Sequence, residues 1–429
     1  MILIEFLDAA PIKNIGGAFV DDVEKIVYIG SVSNKKGNEV LGIIREYLRK
    51  KGIKTEVSYL RTARHDVDSA IRTIERVLNS VPRGIKCCID TVGGNETMLI
   101  AAGAVMQKRR SRALPLDIIS VCTEKGCVHC RNGEGAEFAD ECKCSNTVEE
   151  NAILHGGAVL KAGGIRPALS QNVCNMIDKV WETAMRGKGV RKLDNRRSFP
   201  KRWNSFLGCV YAAGLKSNGI DFSISNARKK LGAAEYDEVI IWLEALEKCG
   251  AISLFVSENG NYISFTCCDG ADKLLRKAGN LLEMKVYAEA SLCGLYCDVA
   301  TGVSLDWDGR IGDTENEIDV MLMKGLCPIF ISCKNGKIDD EELYKLETVS
   351  RRFGGRYARK VVFVSDYGGL SNLAVSSLKR RAENMGIRII DNVHLVGNAE
   401  LKRLVRSLGE RAQTTECQMG KALDFVSKM

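Results

Sequence analysis

The sequence has no apolar run long enough to span a bilayer. No stretch of its 429 residues approaches 18 uninterrupted apolar positions, so no membrane span is expected. A secretory leader pattern is missing too. The first residues, Met1 to Asp8, lack a basic flank and carry Glu5 and Asp8 inside the apolar run, which reads as a strand. Proline is scarce, at 6 residues, and neither an internal repeat nor a low-complexity tract appears. Collagen-like and disordered classes are thereby excluded. No G-x-G-x-x-G follows the first strand, which argues against an NAD enzyme. A disulfide framework is also absent, although cysteine is abundant. The 17 cysteines are odd in number and scattered, often in apolar runs such as Cys87-Cys88 and Cys267-Cys268. That usage fits a reducing cytoplasm.

What remains is an ordinary globular composition, 45% hydrophobic and 27% charged. At roughly 150 residues per domain the length suggests about three domains, placed at 1–160, 161–270 and 271–429. The net charge of +8 is concentrated. From Arg166 to Arg202 there are ten Lys or Arg against three acids, a local +7. Such a segment suits phosphate contact or a solvated connector. Phe199 and Trp203 lie in or beside it, so stacking on single-stranded nucleic acid is one reading and core packing the other.

Residues 1–122 alternate short β-rich runs (Ile2–Leu7, Lys25–Gly30, Lys54–Leu60, Ile85–Thr91, Leu116–Cys122) with amphipathic helical stretches. These are Asn38–Lys51, Asp66–Asn79 and Glu96–Lys108. Near-continuous apolar strands alternating with helices predict a parallel, Rossmann-like α/β sheet covered on both faces. Ligands of such sheets bind at the carboxyl ends of the strands. At one such end, Asp90-Thr91-Val92-Gly93-Gly94-Asn95-Glu96-Thr97 joins a strand to a helix. Its glycines let the backbone approach a ligand, and the helix N-terminus offers free N–H groups to phosphates. An ordinary strand-to-helix turn is the plain alternative.

A helical run follows from Val148 to about Leu160. In the middle segment, a helix Glu235–Cys249 leads into a hairpin, Ile252–Ser257 and Tyr262–Cys267, turning at Asn259-Gly260. Helix, helix, hairpin is the order of a winged helix. The C-terminal part reads α-β-β-β-α-β-α-β. It begins with a helix over Ala271–Ala290 and strands at Leu295–Asp306, Glu317–Met323 and Pro328–Lys334. A helix Asp339–Phe353, a strand Lys360–Ser365, a helix Asn372–Met385 and a strand Ile387–Ile390 follow. The fold class is therefore α/β throughout.

The sharpest chemistry lies in Asn316-Glu317-Ile318-Asp319-Val320 and Phe330-Ile331-Ser332-Cys333-Lys334. Neighbouring strands would carry an Asp and a terminal Lys, with Glu283 on the preceding helix. Carboxylate oxygens suit Mg²⁺ or Mn²⁺, which would polarise a phosphodiester and activate water. An exposed Asp–Lys ion pair is the alternative, worth little. Elsewhere, Cys127, Cys130, Cys142 and Cys144 have thiols enough for a tetrahedral structural zinc, or are reduced loop cysteines. His155 and His394 read as core residues.

The order Glu283, Asp319, Lys334 on α-β-β-β-α-β resembles the PD-(D/E)XK restriction-endonuclease-like nucleases over residues 270–395. The resemblance implies metal binding by Glu283, Asp319 and the main-chain carbonyl of Cys333, with Lys334 orienting water and stabilising charge. The usual acid two places before the Lys is here Ser332, and Glu317, Glu342 or Glu347 would have to compensate. The Cys333 side chain should face away from Ser332 and Lys334. The N-terminal domain is similar to CARF domains, dimeric sensors of cyclic oligoadenylate. That likeness implies a pocket lined by Asp8, Ala9, Ala10, Pro11, Gly30, Ser31, Thr91, Gly93, Gly94, Asn95, Glu96 and Thr97, with Val92 as a departure inside the loop. A CARF domain, a winged-helix-like connector and a PD-(D/E)XK domain in that order resemble the ancillary nucleases of type III CRISPR systems. The implied protein is a homodimer, activated by cyclic oligoadenylate such as cyclic tetra-adenylate, that cuts single-stranded DNA or RNA with Mn²⁺ or Mg²⁺. The other reading is a non-catalytic regulator that binds DNA through the winged-helix-like segment.

Overall fold

The structure is a computed structural model that describes residues 1–112, 116–122, 127–131, 137–140, 144–160, 165–190, 198–307 and 315–410, without side chains at 122–143 and 315. The N-terminal part contains β1 (Ile2–Phe6), β2 (Lys25–Gly30), α1 (Asn34–Lys51), β3 (Glu56–Arg61) and α2 (Val67–Ser80). It continues with β4 (Cys87–Asp90), α3 (Glu96–Arg110), β5 (Asp117–Cys122), β6 (Cys127–Arg131) and β7 (Glu137–Asp140). The sheet runs β3-β2-β1-β4-β5-β6-β7. Its first five strands are parallel and the last two antiparallel. Apolar side chains on both faces explain the covering helices. Leu3, Tyr28 and Cys88 pack under α1, and Ile4, Val27 and Ile89 under α2 and α3. Asp66 caps α2 by accepting from the Ser69 N–H at 2.9 Å, as its position predicts.

Helix α4 (Val148–Leu154) is shorter than the helical run expected to Leu160. His155 ends it, and Ala158–Val159 form β8. This short strand pairs with the C-terminal sheet, so the chain leaves the first sheet before residue 160.

The middle segment holds α5 (Gln171–Arg186), α6 (Phe199–Ala212), β9 (Lys216–Asn218), β10 (Asp221–Ser225), α7 (Ala227–Leu231), α8 (Ala233–Lys248), β11 (Ile252–Val256) and β12 (Tyr262–Cys267). The antiparallel hairpin turns at Gly260, whose φ of +69° a side chain would strain. With sheet order β11-β12-β10-β9, this is winged-helix-like. Trp203 and Trp242 are fully buried beside Phe206. Trp203 is thus core, not a stacking platform.

The C-terminal part begins with a correction. The helix expected over Ala271–Ala290 is two helices, α9 (Ala271–Arg276) and α10 (Asn280–Leu292), broken at Lys277 to Gly279. Lys277 takes an extended backbone, with φ −144° and ψ 146°, which ends α9 before Gly279 leads into α10. Then come β13 (Asp298–Asp306), β14 (Glu315–Lys324), β15 (Cys327–Lys334), α11 (Asp340–Gly354), β16 (Arg359–Val364), α12 (Asn372–Asn384), β17 (Ile387–Ile390) and α13 (Asn398–Ser407). The sheet order is β17-β16-β15-β14-β13-β8.

One continuous core joins the middle segment to a face of this sheet, running from Val173 and Trp242 to Val320, Ile331 and Phe363. Inside it Lys285 on α10 is fully buried, and its Nζ donates to Asp178 on α5 and to Glu289 at 2.6 Å. A buried charge is tolerable only with such partners. The tip of the β14–β15 hairpin, Leu326 and Cys327, packs instead into the N-terminal core with Leu41, Tyr47 and Leu48.

Candidate functional site

Asp319 lies on β14 and Lys334 ends β15, adjacent strands of the C-terminal sheet. Asp319 Oδ2 accepts from the Cys333 N–H at 2.6 Å and from the Ser332 hydroxyl at 3.2 Å. Ser332 therefore serves the aspartate as a donor. The Cys333 side chain is buried in the core opposite. Burial, with Asp319 and Glu283 nearby, pushes its thiol well up, so it is no soft thiolate ligand. The Thr301 hydroxyl on β13 lies against both Glu283 Oε1 and the Asp319 carbonyl oxygen, the latter at 3.1 Å.

Asp319, Ser332 and Lys334 open onto a cleft lined also by Glu317, Ile318, Ile331, Glu342, Lys345 and Leu346. Of the three candidate compensating acids, Glu317 and Glu342 face the cleft. Glu342 Oε2 pairs with Lys334 Nζ at 2.7 Å. Glu347, further along α11, is held by Lys360 on β16. Of the three acids that sequence spacing left open, Glu317 and Glu342 thus remain at the cleft.

The carboxylates press on one another. Burial, and then the charges of Asp319 and Glu317, push Glu283 up to about 7 against the opposing Thr301 contact. Asp319 is raised by burial despite its two donors and Lys334. A side chain at Gly302 would stand 3.8 Å from Glu283 Oε1 and 3.9 Å from Glu317 Oε1. Hard oxygen donors under mutual repulsion fit a divalent cation. Among the described residues, no three His, Cys, Asp or Glu side chains already surround one metal-sized point. A bound cation would therefore have to draw the carboxylates in.

The second candidate site lies at the other end of the chain. Strands β2, β1 and β4 are neighbours and parallel. The segments that follow them, Gly30-Ser31, Asp8 to Pro11 and Thr91 to Thr97, therefore meet at one carboxyl edge. Asp8 shapes its own loop. Its Oδ1 accepts from the Ala10 N–H at 2.8 Å, its Oδ2 meets Lys13 Nζ at 3.0 Å, and Asn14 bonds its backbone N–H and carbonyl. Lys13 and Asn14 carried no signal in the sequence beyond their nearness to Asp8. Gly93 is required by contact, since a Cβ there would lie 2.2 Å from the Phe6 carbonyl oxygen. Asn95 caps α3 by accepting from the Met98 N–H at 3.0 Å. This leaves Glu96 and Thr97 in the first turn.

Beneath these loops lies a feature that sequence reasoning missed. Glu5 on β1 and Asp90 on β4 are both about 1% exposed. Burial holds both carboxyls above their ordinary range. Asp90 Oδ1 accepts from the Val92 N–H at 2.8 Å, which fixes the start of the Thr91–Thr97 loop. Only the strand register places the two acids side by side.

Of the proposed zinc ligands, Cys142 and the side chains of Cys127 and Cys130 lie outside the described residues. Cys144 is buried in the N-terminal core. His155 is buried as expected, its Nδ1 2.9 Å from the Asn151 carbonyl. No helix among the described residues is long and apolar enough to cross a membrane.

No family model matches the chain, and no curated protein does. Solved structures do. Protein VC1899 from Vibrio cholerae superposes with a TM-score of 0.67 at 17% identity, over 95% of this chain and 97% of that one. Can2 from Sulfobacillus thermosulfidooxidans, solved in complex with cyclic tetra-adenylate, gives 0.63 at 14% identity, over 96% and 99%. The fold is therefore shared over nearly the full length of these chains, as a likeness of fold alone.

Proposed function

We propose that the chain is a metal-dependent endonuclease switched on by cyclic oligoadenylate, acting in type III CRISPR antiviral defence on single-stranded DNA or RNA. The observation that carries this reading is the open acid–lysine cleft of Asp319, Glu317, Lys334 and Glu342 on strands of the C-terminal sheet. Support for the activator comes from the strand-end loops of the N-terminal sheet and from the end-to-end likeness to Can2, a protein that binds cyclic tetra-adenylate. Residues 1–160 would sense the ligand, 161–270 connect, and 271–429 cut. Helix α3, which continues the Thr91–Thr97 loop, exposes Leu99 and Ile100, and this supports a homodimer in which two loops face one ligand.

In this reading Glu283, Asp319, Glu317 and the Cys333 carbonyl would hold Mn²⁺ or Mg²⁺. When bound there, such a cation would supply Lewis acidity towards a phosphate and make a water more acidic. Asp319 is oriented by the Cys333 N–H and Ser332 hydroxyl. Lys334, released from Glu342, stabilises the charge that gathers on the phosphate oxygens. Lys345, on the cleft wall, steadies a neighbouring phosphate. A structural zinc on Cys127, Cys130, Cys142 and Cys144 belongs to the same proposal. Protein purified without chelator and found free of zinc removes it.

The regulator reading draws on Ser332, but α8 weighs against it. The helix that would enter a DNA groove exposes Glu235, Asp237, Glu244 and Glu247, a charge that repels phosphate. The test is cutting of labelled single-stranded DNA and RNA with Mn²⁺ and cyclic tetra-adenylate. Lys334→Ala should lower the rate on the order of 10²–10³-fold with cyclic tetra-adenylate binding unchanged. Wild-type protein that binds the ligand and duplex DNA but cuts nothing would establish the regulator instead.

A further inference from the structure

The residue after Lys334 is the meeting point of four elements. The Asn335 side-chain amide donates to Asn204 Oδ1 on α6 at 2.7 Å and to the Ala278 carbonyl at 3.4 Å. Asn204 answers by donating its own amide to the Asn335 carbonyl at 2.8 Å. The Asn335 side-chain oxygen accepts from the Ser365 hydroxyl, and the Ser365 N–H donates to the Lys334 carbonyl at 2.9 Å. Ser365 is fully buried and follows β16. Ala278 lies in the break from which α10, with Glu283, departs.

We propose that Asn204 is a positioning residue. Through the reciprocal amide pair with Asn335 it fixes the end of β15, and so sets Lys334 in register with the helix that carries Glu283. The inference rests on the reading of the cleft as a nuclease site. It gives the winged-helix-like segment a task other than reading DNA, namely clamping the lysine-bearing strand end from outside the nuclease sheet. Two amides that satisfy each other have one geometry, and loss of Asn204 leaves the Asn335 amide only its 3.4 Å contact to Ala278 and takes this donor from the part-buried Asn335 carbonyl. Displacement of a reacting group by about 1 Å can cost on the order of a hundredfold in rate.

The test uses full-length Asn204→Ala, Asn204→Asp, Asn335→Ala and the Asn204/Asn335 double alanine variant, with Mn²⁺ and cyclic tetra-adenylate present. Asn204→Ala should lower kcat about tenfold or more, with KM and ligand affinity within about twofold. Asn204→Asp, which keeps the acceptor and loses the donor, should fall between wild type and alanine. The double variant should lose less than the product of the two single losses, because the bond from the Asn335 amide to Asn204 Oδ1 is common to both, although Asn335→Ala keeps the main-chain carbonyl to which Asn204 donates. Multiplicative losses, or a KM effect alone, would overturn the proposal. Amide hydrogen exchange at Lys334 to Gly336 keeps the two readings apart. If wild-type protein cuts nothing, the nuclease reading fails, yet faster exchange in Asn204→Ala still upholds the clamp. Unchanged exchange refutes it.

Discussion

Each end of the molecule gathers carboxyls that burial has raised, and the two gatherings differ in access. Under the N-terminal loops, Glu5 and Asp90 are sealed. A side chain at Gly17 would stand 2.0 Å from Glu5 Oε1, which leaves no room for an ion or a substrate. In the C-terminal sheet, the raised carboxyl of Asp319 borders an open cleft that also holds Glu317, Lys334 and Lys345, and the raised Glu283 reaches Asp319 through Thr301. A raised carboxyl therefore does not mark a reactive site by itself. The sealed pair shapes a loop through the Val92 N–H, whereas the open cluster is where the proposed function places a cation and a phosphate.

The largest effect expected from this contrast concerns manganese. Asp319→Asn, which removes a proposed ligand, should weaken Mn²⁺ binding by at least the roughly 10–100-fold that loss of an outer-shell partner costs, and Asp90→Asn should leave it unchanged. Calorimetric titration of both variants checks this, and equal losses would erase the distinction. The next effect concerns pH. Carboxyls whose folded pKa lies above the unfolded value contribute stability that is complete below about pH 4 and lost as pH rises through the raised value. Metal-free protein should therefore become easier to unfold in urea between about pH 5 and 8. Asp90→Asn, which keeps the oxygen that Val92 needs, should flatten that fall by on the order of 1–2 kcal/mol. The smallest effect sharpens the open site alone. Glu347→Gln should change the cutting rate by less than about twofold, because the residue is taken up by a part-buried pair with Lys360 and does not line the cleft. Glu342→Gln should alter it several-fold more.

Much of this was legible in the residues. The alternation of apolar runs and helices gave the parallel sheet, and Asn259-Gly260 gave the hairpin, because turn chemistry and periodicity are local. Asp319 and Lys334 could be singled out because apolar neighbours make β14 and β15 core strands. What escaped depends on contacts across the fold. The break at Lys277 to Gly279 interrupts a helical pattern whose apolar spacing continues past it. The choice of Glu342 over Glu347 depends on how α11 sits against β15 and β16. The Glu5–Asp90 pair exists only through the register of β1 with β4, and β8 only through its pairing with β13.

The seat of Leu326 and Cys327 in the N-terminal core makes β15 a lever. One end is embedded among Leu41, Tyr47 and Leu48, and Lys334 stands at the other. Seven residue steps of strand separate them, about 23 Å at the usual rise. Each degree of tilt about that seat swings the lysine through about 0.4 Å at that arm length. A shift of that seat, carried with the paired strands β14 and β16, would thus be passed along β15 to the lysine.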